Sequence, residues 1–351
     1  MNTKIKTNNI KTNKIKTNKK IHTARSISRN TKLNNSNSTH KSTNLLIGCH
    51  SSIANGILES IKYVESIGGN ALQIFMGSKL QSSLKYKHHF KDQDEISEIK
   101  QYITRNRICL IIHSIYTINL CKFPSNSGRI KYAHENIQYD LKYGMMLGAK
   151  CVVLHLGFKN DLPFDTALDN LVDNINKLLR EMPKSITLSL ETSAGKGSEI
   201  GWNLEELAQI WDRVNRDRVN KNKTKQNQNI GICIDTAHIF VSGYDISSVD
   251  GIKSYLDKFN SLIGIRNITN FHINDSRFAL GTKKDEHRGI GNGLIYNSDK
   301  GKKALKYIKQ FCLSHKIPMI LETHSAGSPT SEGSHKGEFG YEYEIEMIKK
   351  L

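Results

Sequence analysis

The sequence predicts an α/β fold, a (β/α)8 TIM barrel that occupies residues 44–351. Eight short apolar runs have the length and the β-branched composition of buried strands. Amphipathic helical patterns separate most of these runs, and such alternation favours parallel strands joined by right-handed crossovers. Eight strand–helix units in a chain of this length therefore indicate a closed barrel.

The eight predicted strands are spaced along the whole chain after residue 44. They cover residues 45–48, 71–76, 108–113, 151–155, 186–191, 230–235, 268–273 and 318–322. One helical face is formed by Ile57, Leu58, Ile61, Val64 and Ile67, and a second by Leu168, Leu171, Val172, Ile175, Leu178 and Leu179. The polar stretch "NRDRVNKNKTKQNQN" (215–229) predicts an irregular insert before the sixth strand.

Residues 1–43 differ from the rest, with eleven Lys or Arg residues and no acidic residue. The repeated Ile-Lys-Thr-Asn unit matches neither a helix nor a strand period, and it offers too little apolar surface to fold. We expect a disordered basic tail. Three interpretations stay open: a non-specific DNA tether, a targeting segment of the transit type, or low-complexity sequence without a function.

The remaining charge and the cysteines restrict the class of protein. Without the tail, the net charge of +18 falls to +7, which permits a polyanionic partner without requiring one. No apolar run approaches the roughly 18 residues of a membrane helix, so we expect no membrane association. The six cysteines form no CxxC pair and are interpreted as free thiols. They favour a reducing compartment, cytoplasm or nucleus, while the tail is compatible with mitochondrial targeting.

Nearly every predicted strand ends on a side chain that can bind a metal. These residues are His50, His113, His155, Glu191, Asp235 with His238 three residues later, His272 and Glu322. A polar cap could explain one such residue, but seven of eight strand ends are hard to explain in that way. Buried charged groups are costly unless they are paired or bound to metal. Because active sites of barrels form at this rim, the pattern predicts a polynuclear metal site there.

A further candidate ligand pair follows the seventh strand. Asp285 and His287 flank Glu286, and residues two apart in an extended loop point the same way. Together with His238 they would make an open site of two imidazoles and one carboxylate, which suits zinc. The neighbouring "GIGNG" (289–293) favours a turn, or a close approach of backbone to a ligand, over a phosphate-binding loop, because it follows no strand.

The chain resembles the endonuclease IV family of apurinic/apyrimidinic endonucleases over about residues 45–325. The motifs that carry the resemblance are "HSIYTINL" (113–120), "LHLG" (154–157), "LETSAGKGSEIG" (190–201), "CIDTAH" (233–238), "HINDS" (272–276), "GTKKDEHRGIGNG" (281–293) and "LET" (321–323). In that family nine side chains hold three zinc ions. The positions of the first ion match His113, His155 and Glu191, and those of the second match Glu191, Asp235, His272 and Glu322. The positions of the third match His238, Asp285 and His287.

The resemblance implies a monomeric DNA-repair enzyme that nicks duplex DNA 5′ to abasic sites, in base excision repair. It would leave a 3′-hydroxyl and a 5′-deoxyribose phosphate, and it would also remove 3′ blocking groups as a phosphodiesterase. Glu191 would be the catalytic carboxylate, bridging two ions that hold a hydroxide near neutral pH. Tyr116 matches a position that contacts DNA at the lesion, and we add Lys79, Leu80 and His50 as expected DNA contacts.

Three positions depart from the family pattern. The DNA-penetrating loop after the second strand, which carries an arginine in the family, reads "FMGSKLQSS" (75–83), with Lys79 or Leu80 in place of the arginine. Glu286 stands where an arginine is usual, so a phosphate contact would be lost or become repulsive. Leu156 replaces a proline, which loosens the backbone beside His155.

Two other functions compete. A sugar isomerase of the xylose-isomerase type would use Glu191, Asp235, His272 and Glu322 as ligands of two ions. It would not require His238, Asp285 and His287. A DNA-binding protein without activity is the third hypothesis, and the intact ligand set argues against it.

Overall fold

The computed structural model describes residues 45–81, 83–219, 229–323 and 340–351. The predicted basic tail, residues 1–43, lies outside this range, as do residues 220–228 of the predicted polar insert. The beginning of that insert was predicted wrongly, because helix α5 continues to Val219. Arg and Asp residues are compatible with a helix, so the polar composition did not end it at Val214.

Eight parallel strands close into a barrel, and all eight correspond to predicted strands. They are β1 (Ile47–His50), β2 (Ala71–Phe75), β3 (Cys109–His113), β4 (Cys151–His155), β5 (Thr187–Glu191), β6 (Ile230–Asp235), β7 (Ile268–His272) and β8 (Met319–Leu321). Each strand pairs with the next along the chain, and β8 pairs with β1. The predicted TIM barrel is therefore confirmed.

Within the described ranges the barrel strands are surrounded by α-helices. These are α1 (Ile57–Ser66), α2 (Gln93–Asn106), α3 (Lys131–Leu147), α4 (Phe164–Glu181), α5 (Leu204–Val219), α6 (Thr236–Ser242), α7 (Val249–Leu262), α8 (Asp299–His315) and α9 (Tyr341–Lys350). Both helical faces predicted from the sequence pack inward, since Ile57, Ile61 and Val64 are buried on α1 and Leu171 and Ile175 on α4. In the part of the chain described, no helix combines the length and apolar character of a membrane span.

Two apolar layers support the strand ends. The larger one fills the space between the barrel and its helices, while Ala71, Ile111, Val153 and Ile320 belong to a smaller cluster contributed by the strands alone. All six cysteines lie in described segments and are free, as the sequence predicts. Both layers lie beside the strands whose carboxyl ends carry the predicted ligands.

Candidate metal centre

The barrel gathers the predicted ligands because consecutive parallel strands end at one rim. His113, His155, Glu191, Asp235 and His272 are the last residues of β3 to β7. Glu322 follows β8 directly, and His238 lies on the first turn of α6, where Asp235 caps the helix by accepting the His238 N–H at 2.9 Å. Asp285 and His287 lie on a segment that we call the third-ligand loop, residues 277–296.

Glu191 lies at the middle of the cluster and is buried. Its Oε2 is 3.2 Å from His113 Nε2 and 3.3 Å from His155 Nε2. Its Oε1 is 2.9 Å from His272 Nδ1 and 3.6 Å from His238 Nδ1. Oε2 is therefore turned toward His113 and His155 and Oε1 toward His272, so the two oxygens of one carboxylate face different imidazoles, as those of a bridging ligand would.

A second group surrounds His272, whose Nδ1 is 3.2 Å from Glu322 Oε2 and 3.7 Å from Asp235 Oδ2. Together with Glu191, these residues bring one ligand atom each to within 4.8 Å of one another, as a metal ion would need. This group coincides with the four residues that the family resemblance gives to one ion. His113, Glu191 and His272 form a second compact group, and His155 adjoins it through Glu191.

A third group lies beside the other two. Asp285 Oδ1 is 3.4 Å from His238 Nε2 and 3.3 Å from His287 Nε2. Asp235 Oδ2 is 3.7 Å from His287 Nε2, so Asp235, His238 and His287 also converge. The structure therefore brings all nine predicted ligands together, although their role as ligands stays a prediction.

Hydrogen bonds on the outer side of the cluster fix which imidazole nitrogens face inward. His113 Nδ1 is 2.7 Å from the Ser114 carbonyl, and His238 Nδ1 is 2.8 Å from the Thr192 carbonyl. A carbonyl oxygen only accepts, so these Nδ1 atoms carry the proton and each Nε2 faces the carboxylates. Metal-binding histidines are held in this way by their outer nitrogen.

His287 supplies a complementary observation. Its Nε2 is buried, and within the described residues it makes no hydrogen bond of acceptable geometry, although it points at Asp285 and Asp235. A buried polar atom without a hydrogen bond is costly. A cation between these groups would satisfy it, so the residues fit a metal.

The groups of the cluster shift one another's pKa values strongly. Burial lowers the pKa of His272, but Glu322 and Glu191 outweigh burial and raise it to about 9. Burial likewise lowers the pKa of His287, but Asp235 and Asp285 outweigh it and raise the pKa to about 9. Burial raises the pKa of Glu322, but His272 brings it down to about 2. Glu322 is thus held charged, ready to bind a cation.

The four expected DNA contacts lie in different surroundings. Leu80, 61% exposed, and Lys79 lie on a loop after β2, and the Lys79 carbonyl accepts the Tyr116 N–H at 3.1 Å. The half-exposed Tyr116 ring lies 5.6 Å from His113 and 5.4 Å from His155, between centroids. These three residues can therefore contact a molecule bound at the metal centre, and their contact with DNA stays a prediction.

His50 lies deeper than the other three. Its Nδ1 is 3.1 Å from Gln73 Nε2 and 3.9 Å from Glu322 Oε1. Burial lowers the pKa of His50 to about 3, so the ring is neutral at physiological pH. A neutral, largely buried ring gives no electrostatic attraction to phosphate, and the structure places His50 as a neighbour of the predicted ligand Glu322.

Two supporting residues were missed by sequence analysis. Gln73, within β2, donates from Nε2 to Glu322 Oε1 at 2.6 Å and faces His272 Nε2 with Oε1 at 2.8 Å. Asn274 donates to Asp235 Oδ2 at 2.6 Å and to Glu322 Oε2 at 3.2 Å. A polar residue in the apolar run "ALQIF" was the available signal for Gln73.

The structure also explains the acid at position 286. Arg277 Nη1 lies 2.6 Å from Glu286 Oε1, and the Arg277 N–H donates to the Glu286 carbonyl at 3.1 Å. The acid is therefore balanced by an arginine across the third-ligand loop. Because Arg277 offsets the charge of Glu286, the surface beside the third group is less negative than an unpaired Glu286 would make it.

Comparisons with known proteins show the family to which the chain belongs. A family described as the xylose isomerase-like TIM barrel matches residues 61–351. The putative endonuclease 4 of Acanthamoeba polyphaga mimivirus is 33% identical over 79% of this chain and 85% of its own length. The probable endonuclease 4 of Ureaplasma urealyticum serovar 10 is 33% identical over 87% of this chain and 93% of its own.

Solved structures agree on the fold. Endonuclease IV from Thermus thermophilus superposes with a TM-score of 0.67 at 22% identity, covering 87% of this chain and 97% of that one. A D-tagatose 3-epimerase-like protein superposes with a TM-score of 0.55 at 19% identity, covering 79% and 90%. From the matched family and the relatives at 33% identity, the chain belongs to the endonuclease IV family of xylose isomerase-like TIM barrels and is a hydrolase of the endonuclease IV type.

Proposed function

We propose that this protein is a zinc-dependent DNA-repair endonuclease that hydrolyses the phosphodiester 5′ to abasic sites in duplex DNA. It would leave a 3′-hydroxyl and a 5′-deoxyribose phosphate, and it would also act as a 3′-phosphodiesterase in base excision repair. We propose a monomer with residues 44–351 as its catalytic domain and residues 1–43 as an appendage.

The third group of side chains is the observation that carries this proposal. A two-metal site needs the cluster around Glu191 and Glu322, but it does not need Asp285 Oδ1 at 3.4 Å from His238 Nε2 and 3.3 Å from His287 Nε2. Three adjoining groups can oppose several phosphate oxygens at once. A phosphodiester has such a spread of charge, whereas a sugar does not.

The residues would share three ions in the sets that the resemblance gives. His113, His155 and Glu191 would hold the first, and Asp235, His272 and Glu322 would join Glu191 around the second. The third would take His238, Asp285 and His287. When bound, zinc supplies a water that loses its proton near neutral pH and offsets negative charge on phosphate.

The chain itself orients the ligands and shapes the approach to them. Gln73 and Asn274 hold Glu322 and Asp235 from outside the cluster. The exposed Leu80 and Lys79 lie beside Tyr116. The apolar side chain of Leu80 could enter a distorted duplex, and the basic side chain of Lys79 could follow its backbone. An abasic nucleotide is the cheapest one to displace from the helix, because no base must be unpaired.

The sugar isomerase is the alternative candidate, and the epimerase-like fold match belongs with it. It accounts for Glu191, Asp235, His272 and Glu322 but leaves the third group without a role. The relatives at 33% identity are named endonuclease 4, which supports the nuclease.

The test is cleavage of a duplex that carries one abasic site, with an intact duplex of the same sequence as control. We expect one nick 5′ to the site, with a 3′-hydroxyl that a polymerase extends, and its loss after chelation and return with zinc. Cleavage of both duplexes alike, or epimerisation of a ketose without nicking, would contradict the proposal.

A further inference from the structure

The third-ligand loop must be fixed if Asp285 and His287 are to meet His238. A long irregular segment keeps one conformation only when its backbone groups find partners. At its start, the Gly281 N–H donates to the Phe240 carbonyl at 3.2 Å and the Lys283 N–H to the Val241 carbonyl at 2.9 Å. Those carbonyls belong to α6, the helix that carries His238.

Beyond His287, the backbone of the loop is held by a carboxylate outside the ligand set. Asp275 is fully buried. Its oxygens accept the N–H groups of Ser276 at 2.9 Å, Gly291 at 3.0 Å, Gly293 at 3.2 Å, Ile295 at 2.8 Å and Tyr296 at 3.3 Å. A carboxylate offers about four lone-pair sites, so the protein backbone occupies this one completely.

The fit around Asp275 is close. A Cβ atom at Gly293 would lie 2.4 Å from Asp275 Oδ1, so only glycine allows this approach. Asp275 and Ser276 also form a short antiparallel ribbon with Arg288 and His287. Asp275, which binds the amides of the loop, is therefore also hydrogen-bonded in this ribbon to the segment that carries His287.

A second buried carboxylate holds the same segment from another element. Glu344, on α9, is 1% exposed. Its Oε1 accepts the Ile290 N–H at 2.7 Å, and its Oε2 accepts the Thr323 hydroxyl at 2.6 Å. Thr323 follows the ligand Glu322, so Glu344 links the third-ligand loop to the end of β8.

We propose that Asp275 and Glu344 are positioning residues that set the third-ligand loop so that Asp285 and His287 converge with His238 on one ion. This inference rests on the proposed metal centre. Neither carboxylate is a ligand itself, because backbone amides and a hydroxyl take up their oxygens. An amide in place of either carboxylate would turn an N–H₂ group toward an N–H or O–H donor and displace the loop.

The experiment measures zinc bound per full-length chain, by elemental analysis after dialysis at buffered free zinc, for Asp275→Asn and Glu344→Gln. Outer partners of a ligand set typically change metal affinity by about 10- to 100-fold. We expect both variants to lose one of three ions, with that ion's affinity at least about tenfold weaker. The other two ions should stay bound.

Ser248→Ala is the matched control. Ser248 caps α7 by accepting the Gly251 N–H at 3.1 Å, away from the loop, so its loss weakens the fold without touching a ligand. We expect a lower melting temperature and unchanged zinc content. For the two carboxylate variants, kcat on abasic duplex should fall at least about tenfold with KM changed less.

Each outcome decides between the two proposals. A wild-type protein that binds no zinc would refute the metal centre itself. Wild-type protein with three ions and variants with the same three at the same affinity would refute only the positioning role. If both variants failed to fold while Ser248→Ala folded, the carboxylates would hold the whole barrel, and the positioning role would also be refuted.

Discussion

Buried carboxylates lie in two regions of this barrel, and they are satisfied in different ways. At the rim, the buried Glu191 and Asp235 and the partly exposed Glu322 face imidazoles, at 2.9–3.7 Å around His272. Outside the rim cluster, Asp275 faces backbone amides, and Asp140 faces the buried Lys87, 2.6 Å from Nζ to Oδ1.

The comparison separates the carboxylates that protein groups satisfy from those that could bind an added cation. Asp140 is satisfied by the Lys87 ammonium and Asp275 by backbone amides, so both carboxylates hold segments of the chain together. The rim carboxylates share partners that can lose their protons and become ligands themselves. The buried carboxylates outside the rim thus stabilise the fold, and we propose that those at the rim bind metal.

The largest effect should come from the rim, in Glu191→Gln. The amide keeps the size but loses the charge that two ions would share. We expect cleavage of abasic duplex to fall by at least roughly 10³-fold, or about 4 kcal/mol of transition-state stabilisation. Single-turnover nicking and zinc content should be measured on the same preparation. His50→Ala, outside the nine ligands, should change zinc content much less.

Asp140→Asn tests the other side of the comparison. It leaves the buried Lys87 ammonium without its carboxylate, which typically costs roughly 3 kcal/mol or more. We expect that loss in urea unfolding. Zinc content and nicking per folded molecule should change far less than in Glu191→Gln, since Asp140 is linked to His113 through Ser114, whose hydroxyl it accepts at 3.3 Å. Glu59→Gln, which breaks an exposed pair with Lys62, is the control and should cost under about 1 kcal/mol. Equal costs would remove the distinction between buried and exposed pairs.

The next effect in size comes from competition between protons and zinc for the imidazoles of the rim. The raised pKa values of His272 and His287, about 9, mean that both rings hold a proton at pH 7 when no metal is bound. Zinc must displace these protons, so affinity should fall as pH falls, by at least about tenfold per unit below pH 9 at the ions using these rings. Calorimetry in buffers of different ionisation enthalpy would count the protons. A pH-independent affinity would contradict this sign.

The smallest effect concerns Glu286, which pairs with Arg277 at the surface of the loop. Glu286→Gln releases the arginine for a phosphate. We expect DNA to bind a few-fold tighter, with a steeper loss of affinity in salt by about one phosphate contact. Turnover should hardly change. Weaker binding or a lost ion would show that the Arg277–Glu286 pair orders the third-ligand loop.

The sequence predicted the strands and the candidate ligands because both follow local patterns. Apolar runs of strand length recur through the chain, and a ligand at each strand end needs no knowledge of distant contacts. The partners of Gln73 and Glu344 could not be predicted, because they lie far away in sequence, 249 residues for Gln73 and Glu322 and 54 for Glu344 and Ile290. The Arg277–Glu286 pair likewise depends on the path of the loop.

Anomalous diffraction at the zinc absorption edge, on crystals of the full chain, tests the metal centre most directly. We expect three peaks: beside His113 and His155, between Glu191 and Glu322, and between His238 and His287. Two peaks beside Glu191, Asp235, His272 and Glu322, with none between His238 and His287, would fit the sugar isomerase, and no peak at the rim would contradict the metal centre altogether.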